Sequence, residues 1–242
     1  MQAEQRDCLY LHFTMQDNPS LSPQIRQRYE RLYTGVFYRR FILGQWVAAE
    51  GRVYDFFEPS MARPVPDGRF EQWYISCDYG TVNPASFGLW GLQAGVWYRV
   101  EEFYFDSRKQ MRQMTDAEYA AALRNLAGQR TIRAVIVDPS AASFIELLRR
   151  ESWTVKKAEN DVLSGIRHTS DYLKSGKLVI CDTCRDCLRE IEEYVWDTKA
   201  GKDAVRKSHD HAMDDMRYFV ATVLAQPVGG FSVRAVARRQ NV

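Results

Sequence analysis

Trp73-Tyr74-Ile75-Ser76-Cys77-Asp78 and Ala134-Val135-Ile136-Val137-Asp138 are the two stretches that decide how this chain folds. Each is a run of apolar, aromatic or β-branched residues that closes on an aspartate, the composition of a short strand. The second belongs to a continuous apolar run over 132–137, the pattern of a strand buried on both faces of a sheet. Ligands of α/β sheets bind in the crevice beyond the strand ends. An acid in that position is therefore a candidate functional group, and equally a candidate turn or N-cap residue.

Outward from these runs the pattern stays regular. Residues 85–92 and 96–105 are rich in aromatic and β-branched residues, with Gln93-Ala94-Gly95 between them as a turn, so three strands form an antiparallel meander. Thr115 and Glu118 are spaced as a capping box at the head of a helix over 115–126. Beyond 132–137, helical patterns over 144–150, before Gly176, over 188–196 and over 208–224 are interleaved with short strands at 154–155 and 178–180. The order predicts an α/β domain, a mixed β-sheet flanked by helices. Upstream, Ser22-Pro23 has the form of an N-cap followed by Pro at N1, and Ile25, Tyr29 and Leu32 follow at helical spacing. Gly35 is placed to end that helix, and another begins within 37–43. Pro64, Pro66 and Gly68 mark 61–70 as a linker. The expected division is a helical region over 1–60, the linker, an α/β domain over 71–228, and a basic tail over 229–242.

Composition narrows the function classes. The 242 residues carry 45% hydrophobic and 26% charged side chains, an ordinary globular balance. Lys and Arg number 33 against 31 Asp and Glu, so a nucleic-acid partner depends on whether the basic residues cluster. No window approaches the roughly 18 apolar residues of a membrane span. Glu4, Arg6 and Asp7 interrupt any signal-peptide core. Five cysteines without a secretory signal point to free thiols in a reducing cytoplasm.

A third acidic cluster stands at His209-Asp210-His211-Ala212-Met213-Asp214-Asp215. On a helix His211 and Asp214 are i,i+3 neighbours, and Arg217 and Tyr218 follow on the same face. Asp215 is rotated by about 100° from Asp214, so both reach one site only where the helix end faces it. Three or four aspartates suit phosphodiester hydrolysis. That reaction needs an attacking hydroxide and a stabilised leaving oxygen, which two Mg²⁺ or Mn²⁺ ions about 3.5–4 Å apart supply, and such hard cations take carboxylate oxygens. A histidine beside them suits proton relay.

Two further features have two readings each. Cys181, Cys184 and Cys187 are spaced either for zinc or an iron–sulfur cluster, or as the small apolar face of a helix. Lys156, Lys157 and Arg167 flank one helical segment, and Lys199, Lys202, Arg206 and Lys207 lie in a segment with hairpin composition just before the last helix. Both groups are candidate DNA-backbone contacts, or solvated surface.

Several stretches together resemble the C-terminal nuclease half of phage large terminase subunits. They are 33–51, Asp78-Tyr79-Gly80-Thr81-Val82-Asn83-Pro84, Val137-Asp138-Pro139-Ser140-Ala141-Ala142, Val162-Leu163-Ser164-Gly165-Ile166-Arg167, and 210–218. The likeness covers nearly the whole chain in matching order. It implies an RNase H-like fold and metal ligation by Asp78, Asp138 and Asp214, with His211 nearby as a catalytic group and Asp215 as a secondary ligand. It implies an endonuclease that cuts concatemeric viral DNA with little sequence specificity in the cytoplasm of the infected host cell. Its partners are then double-stranded DNA, a motor ATPase domain, a portal protein and a small terminase subunit. Residues 1–60 would be the junction with the motor half. No Gly-x4-Gly-Lys-[Ser/Thr] loop is present, so no ATPase activity is expected of this chain. A junction resolvase or transposase on the same fold, and a non-catalytic docking module, are the competing functions.

Overall fold

The architecture rests on one mixed sheet. The computed structural model describes residues 13–33, 35–47, 49–200 and 203–225. Six strands, β1 (Gln72–Asp78), β2 (Ala85–Gln93), β3 (Val96–Phe105), β4 (Ile132–Val137), β5 (Val155–Lys157) and β6 (Leu178–Ile180), lie in the order β5-β4-β1-β2-β3-β6. The meander β1-β2-β3 is antiparallel, while β4 runs parallel to β1, β5 parallel to β4 and β6 parallel to β3. Among the described residues, seven α-helices lie around the sheet: α1 (Pro23–Leu32), α2 (Gly35–Phe41), α3 (Asp116–Ala127), α4 (Ala142–Arg150), α5 (Val162–Lys174), α6 (Arg185–Glu193) and α7 (His211–Phe219). None of the described helices is long and apolar enough to cross a membrane.

The period of two along the strands separates two cores. Ile75, Cys77, Phe87, Leu89, Val135 and Val137 face α3 and α4. Tyr74, Trp90, Ala134 and Ile136 face α5, α6 and α7, where Trp90 stacks on Phe219 at 4.4 Å between ring centroids. Asp78 and Asp138 continue the second set by parity. The alternation therefore carries both acids to the α7 side of the sheet, at the adjacent ends of two parallel strands where Cys77 pairs with Val137.

Local signals act as read. Ser22 accepts from the Ile25 amide at 3.3 Å with Pro23 at N1, and Thr115 and Glu118 form the capping box. Four boundaries differ from expectation. Gly35 opens α2 at φ 51° rather than closing α1. The helix α6 stops at Glu193, because Val195 pairs with Arg52 and Trp196 with Val205. The last helix begins only at His211 and passes into a π-helical turn, Val220–Leu224. The expected linker does not divide two cores: Arg63 bridges Cys181 beside β6, while Val36, Val53, Tyr54 and Phe57 join the cluster under α7. Apolar area supplied from upstream outweighs the local Pro/Gly signal. The expected tail, 229–242, lies outside the described residues.

Candidate active site

A cleft of about 440 Å³ opens at the C-terminal end of β1 and is lined by Asp78, Asp210, His211 and Asp214 among others. Asp78 closes β1 and takes a 2.8 Å hydrogen bond from Nδ1 of His211, the first residue of α7. Burial, with the negative charge of Asp214, pushes the Asp78 carboxyl up to about 7 despite the opposing bond from His211. Burial alone pulls His211 down; the hydrogen bond and charge of Asp78, with Asp210 and Glu190, carry it above its ordinary value.

Asp138 lies beside the cleft rather than in its described wall. Its carboxylate accepts from the Ser140 amide at 2.7 Å and from the Tyr218 hydroxyl at 2.8 Å. Burial raises its pKa, but these bonds, with one from Asn160, outweigh it and hold the carboxyl below the usual range. Asp214 sits one turn into α7. Its Oδ1 accepts from Arg217 at 2.8 Å and its Oδ2 meets the Lys207 ammonium at 3.1 Å. Burial first, then the charges of Asp214, Asp78 and Asp138, raise the Tyr218 hydroxyl. Strand β1 and helix α7 thus bring Asp78 and Asp214 into one cleft, and Tyr218 of α7 holds Asp138 beside it.

Asp215 departs from its expected role. It is fully buried, and its carboxylate accepts from Ser76 at 3.0 Å, from Arg99 Nη2 at 2.9 Å, and from Ser86. No oxygen of it faces the cleft. The rotation of about 100° between consecutive helical residues turns it into the sheet, where Arg99 of β3 is its counter-ion. A Cβ at Gly88 would overlap that guanidinium, so glycine is required at this crossing. Gly165 of α5 likewise leaves room for the aliphatic stem of Arg217.

Two positioning groups had no local sequence signal. Glu190 of α6 is fully buried, accepts from Tyr104 at 2.6 Å, and accepts from the Ala212 amide at 2.6 Å. It caps α7 from another helix, since Asp210 makes no side-chain cap there. Arg99 shares β3 with Glu101 and Glu102, so its charge alone did not mark it; its place between β2 and β6 is what demands a buried partner.

Among the described residues, no group of three His, Cys, Asp or Glu side chains is placed to hold a metal ion as it stands. Cys181, Cys184 and Cys187 are buried free thiols, with the Cys184 Sγ 3.2 Å from the Arg99 carbonyl oxygen, in keeping with their apolar reading. Asp78 and Asp214 instead present carboxylates to the cleft, with Asp138 beside it, and carboxylate oxygens are the donors that a hard divalent cation takes.

The predicted basic residues separate. Lys156 and Lys157 are exposed on β5, where Lys157 pairs with Val137 next to Asp138. Arg167 is half-buried beside His168 at 3.2 Å. Lys199 and Arg206 are exposed on the hairpin, whose arms pair through Trp196 and Val205. Lys207 turns into the cleft, and Lys202 lies outside the described residues.

The family model of the terminase RNaseH-like domain matches residues 80–222. The chain belongs to this family. Relatives of the terminase RNaseH-like domain include the large terminase subunit of Escherichia phage T5, 21% identical over 88% of this chain and 51% of its own length. The large terminase of a thermophilic bacteriophage, solved in complex with ADP, superposes with a TM-score of 0.85 at 50% identity, over 90% of this chain and 56% of that one. This terminase chain thus spans about half the length of these relatives. The large terminase nuclease of thermophilic phage G20c, solved with bound magnesium, shares the fold at a TM-score of 0.55 and 14% identity, over 73% of this chain and 99% of that one.

Proposed function

We propose that this terminase domain is a metal-dependent endonuclease that cuts concatemeric double-stranded viral DNA during genome packaging. The carrying observation is that Asp78 and Asp214 line one cleft at the C-terminal end of β1, with Asp138 at the adjacent end of the parallel strand β4. These three aspartates would hold two divalent ions, Mg²⁺ or Mn²⁺; the magnesium in the G20c nuclease supports this cofactor class. When bound, such ions supply an activated nucleophile and neutralise charge on the leaving oxygen.

The chain's own residues do the rest. His211, with Nδ1–H directed at Asp78, leaves Nε2 to accept and return a proton at the cleft. Tyr218 orients Asp138, and Arg217 orients Asp214 while anchored to the Asn160 carbonyl at 2.8 Å. Lys156, Lys157, Arg167, Lys199 and Arg206 are the backbone-tracking cations of this reading. The nuclease unit of this reading is residues 71–228, with Val36, Val53, Tyr54 and Phe57 from upstream packed into its core. It would act in the infected host cytoplasm beside a motor ATPase, a portal protein and a small terminase subunit, and by itself would not turn over ATP.

Plasmid digestion with Mn²⁺, Mg²⁺ and EDTA tests the proposal. Nicking and linearisation with metal alone, lost in Asp138→Asn, support it. An intact plasmid with either metal rejects it in favour of a docking module.

A further inference from the structure

Lys207 carries its charge where a phosphate contact would not. Its Nζ lies 3.1 Å from Asp210 Oδ2 and 3.1 Å from Asp214 Oδ2, inside the acidic cleft. The two oxygens of Asp214 are therefore held in different ways. Oδ1 is fixed by Arg217, which is 2% exposed and tied to the Asn160 carbonyl. Oδ2 is held by a lysine whose side chain is 63% exposed and which follows the outgoing arm of the hairpin. An ammonium is a compact point charge on a flexible stem, so it swings away at little steric cost. Burial opposes the charge on Lys207, but Asp214 and Asp210 keep it protonated.

Resting on the metal-nuclease reading above, we propose that Lys207 is an intramolecular counter-ion occupying Oδ2 of Asp214, the oxygen that Arg217 leaves free for a metal ion, and that a DNA phosphate draws it off, coupling substrate binding to metal binding. A cation arriving at Oδ2 must displace the ammonium. A phosphodiester beside the hairpin offers that ammonium another anion, which frees Oδ2. Coupling of two ligands through one side chain is reciprocal: metal at Asp214 releases Lys207 toward DNA by the same factor. Arg108, which also lines the cleft, does not substitute, because its guanidinium donates to Asn83 Oδ1 at 3.0 Å.

The test is calorimetric titration of Mn²⁺ into DNA-free protein, comparing wild type, Lys207→Met and Lys207→Arg. Lys207→Met removes the charge and should tighten Mn²⁺ binding about fivefold or more, the lower end of inter-site couplings. Lys207→Arg keeps the charge and should stay near wild type. In EDTA, binding of a short blunt duplex by Lys207→Met should lose about one from the salt slope, the value of one phosphate contact. Equal Mn²⁺ affinities in wild type and Lys207→Met, with matching thermal midpoints, overturn the counter-ion role. Tightened Mn²⁺ binding with an unchanged salt slope overturns the coupling to DNA. A wild type that binds Mn²⁺ yet cuts no DNA defeats the nuclease reading separately, since the titration does not depend on cleavage.

Discussion

Replacing Asp215 by alanine separates a structural carboxylate from a metal ligand. Arg99 and Asp215 are both fully buried, and the pair is bidentate. Removing one partner of such a pair strands a charge, at a cost of about 3–5 kcal/mol. Glu102, 3.3 Å from Arg99 Nη2 and itself a cap on the amides of Asp186 and Cys187, compensates part of that charge. The expected loss for Asp215→Ala is therefore near the lower end, about 3 kcal/mol. For a domain of this size, that lowers the melting midpoint by about 6–12 °C. The double variant Asp215→Ala/Arg99→Met should recover much of this loss, because an apolar replacement of a buried pair is often neutral. Urea and thermal denaturation in EDTA measure both, and Mn²⁺ should still raise the midpoint of the double variant. A loss below about 1 kcal/mol for the single variant, the scale of an exposed pair, would falsify the buried-pair account. A double variant that melts no higher than the single would do the same, and loss of the Mn²⁺ response would return Asp215 to the ligand set.

Three other outcomes follow from the site. The Asp78 carboxyl is raised to about 7 and His211 is also raised, so the folded state holds both protons more tightly than the unfolded chain. The linked stability is present below the unfolded values of about 3.9 and 6.5 and is lost as pH rises through the folded ones. The midpoint in EDTA should thus fall from about pH 5 to about pH 8, Mg²⁺ should flatten the fall, and Asp78→Asn should melt higher than wild type at neutral pH while losing cleavage; a flat profile in EDTA contradicts the assignment. His211→Ala should slow cleavage by about 10²–10⁴-fold with Mn²⁺ affinity nearly unchanged, and a calorimetric loss of Mn²⁺ binding would make His211 a ligand instead. Lys156→Ala/Lys157→Ala should weaken duplex binding and reduce the salt slope by about two, whereas an unaltered slope directs the DNA away from β5.

What the sequence by itself determined is short-range. Strand composition placed β2 and β3 and ended β1 and β4 on Asp78 and Asp138, whereas the parallel register of those two strands put both acids on one face. The Thr115–Glu118 box and the Ser22-Pro23 cap depend on atoms three residues apart, so they were legible too. Tertiary packing decided the rest. Asp214 and Asp215 are neighbours with the same chemistry, and nothing local distinguishes them. One faces the cleft and the other is buried because β3 sets Arg99, 116 residues away in sequence, against that side of α7. Glu190 and Lys207 are of the same kind: an ordinary helical glutamate and an ordinary hairpin lysine. Their roles arise only when α6 is laid against the start of α7 and the hairpin returns to the acids. A charge taken out of water must find its partner wherever the chain brings one. That partner is a three-dimensional neighbour, and spacing along the sequence carries no record of it.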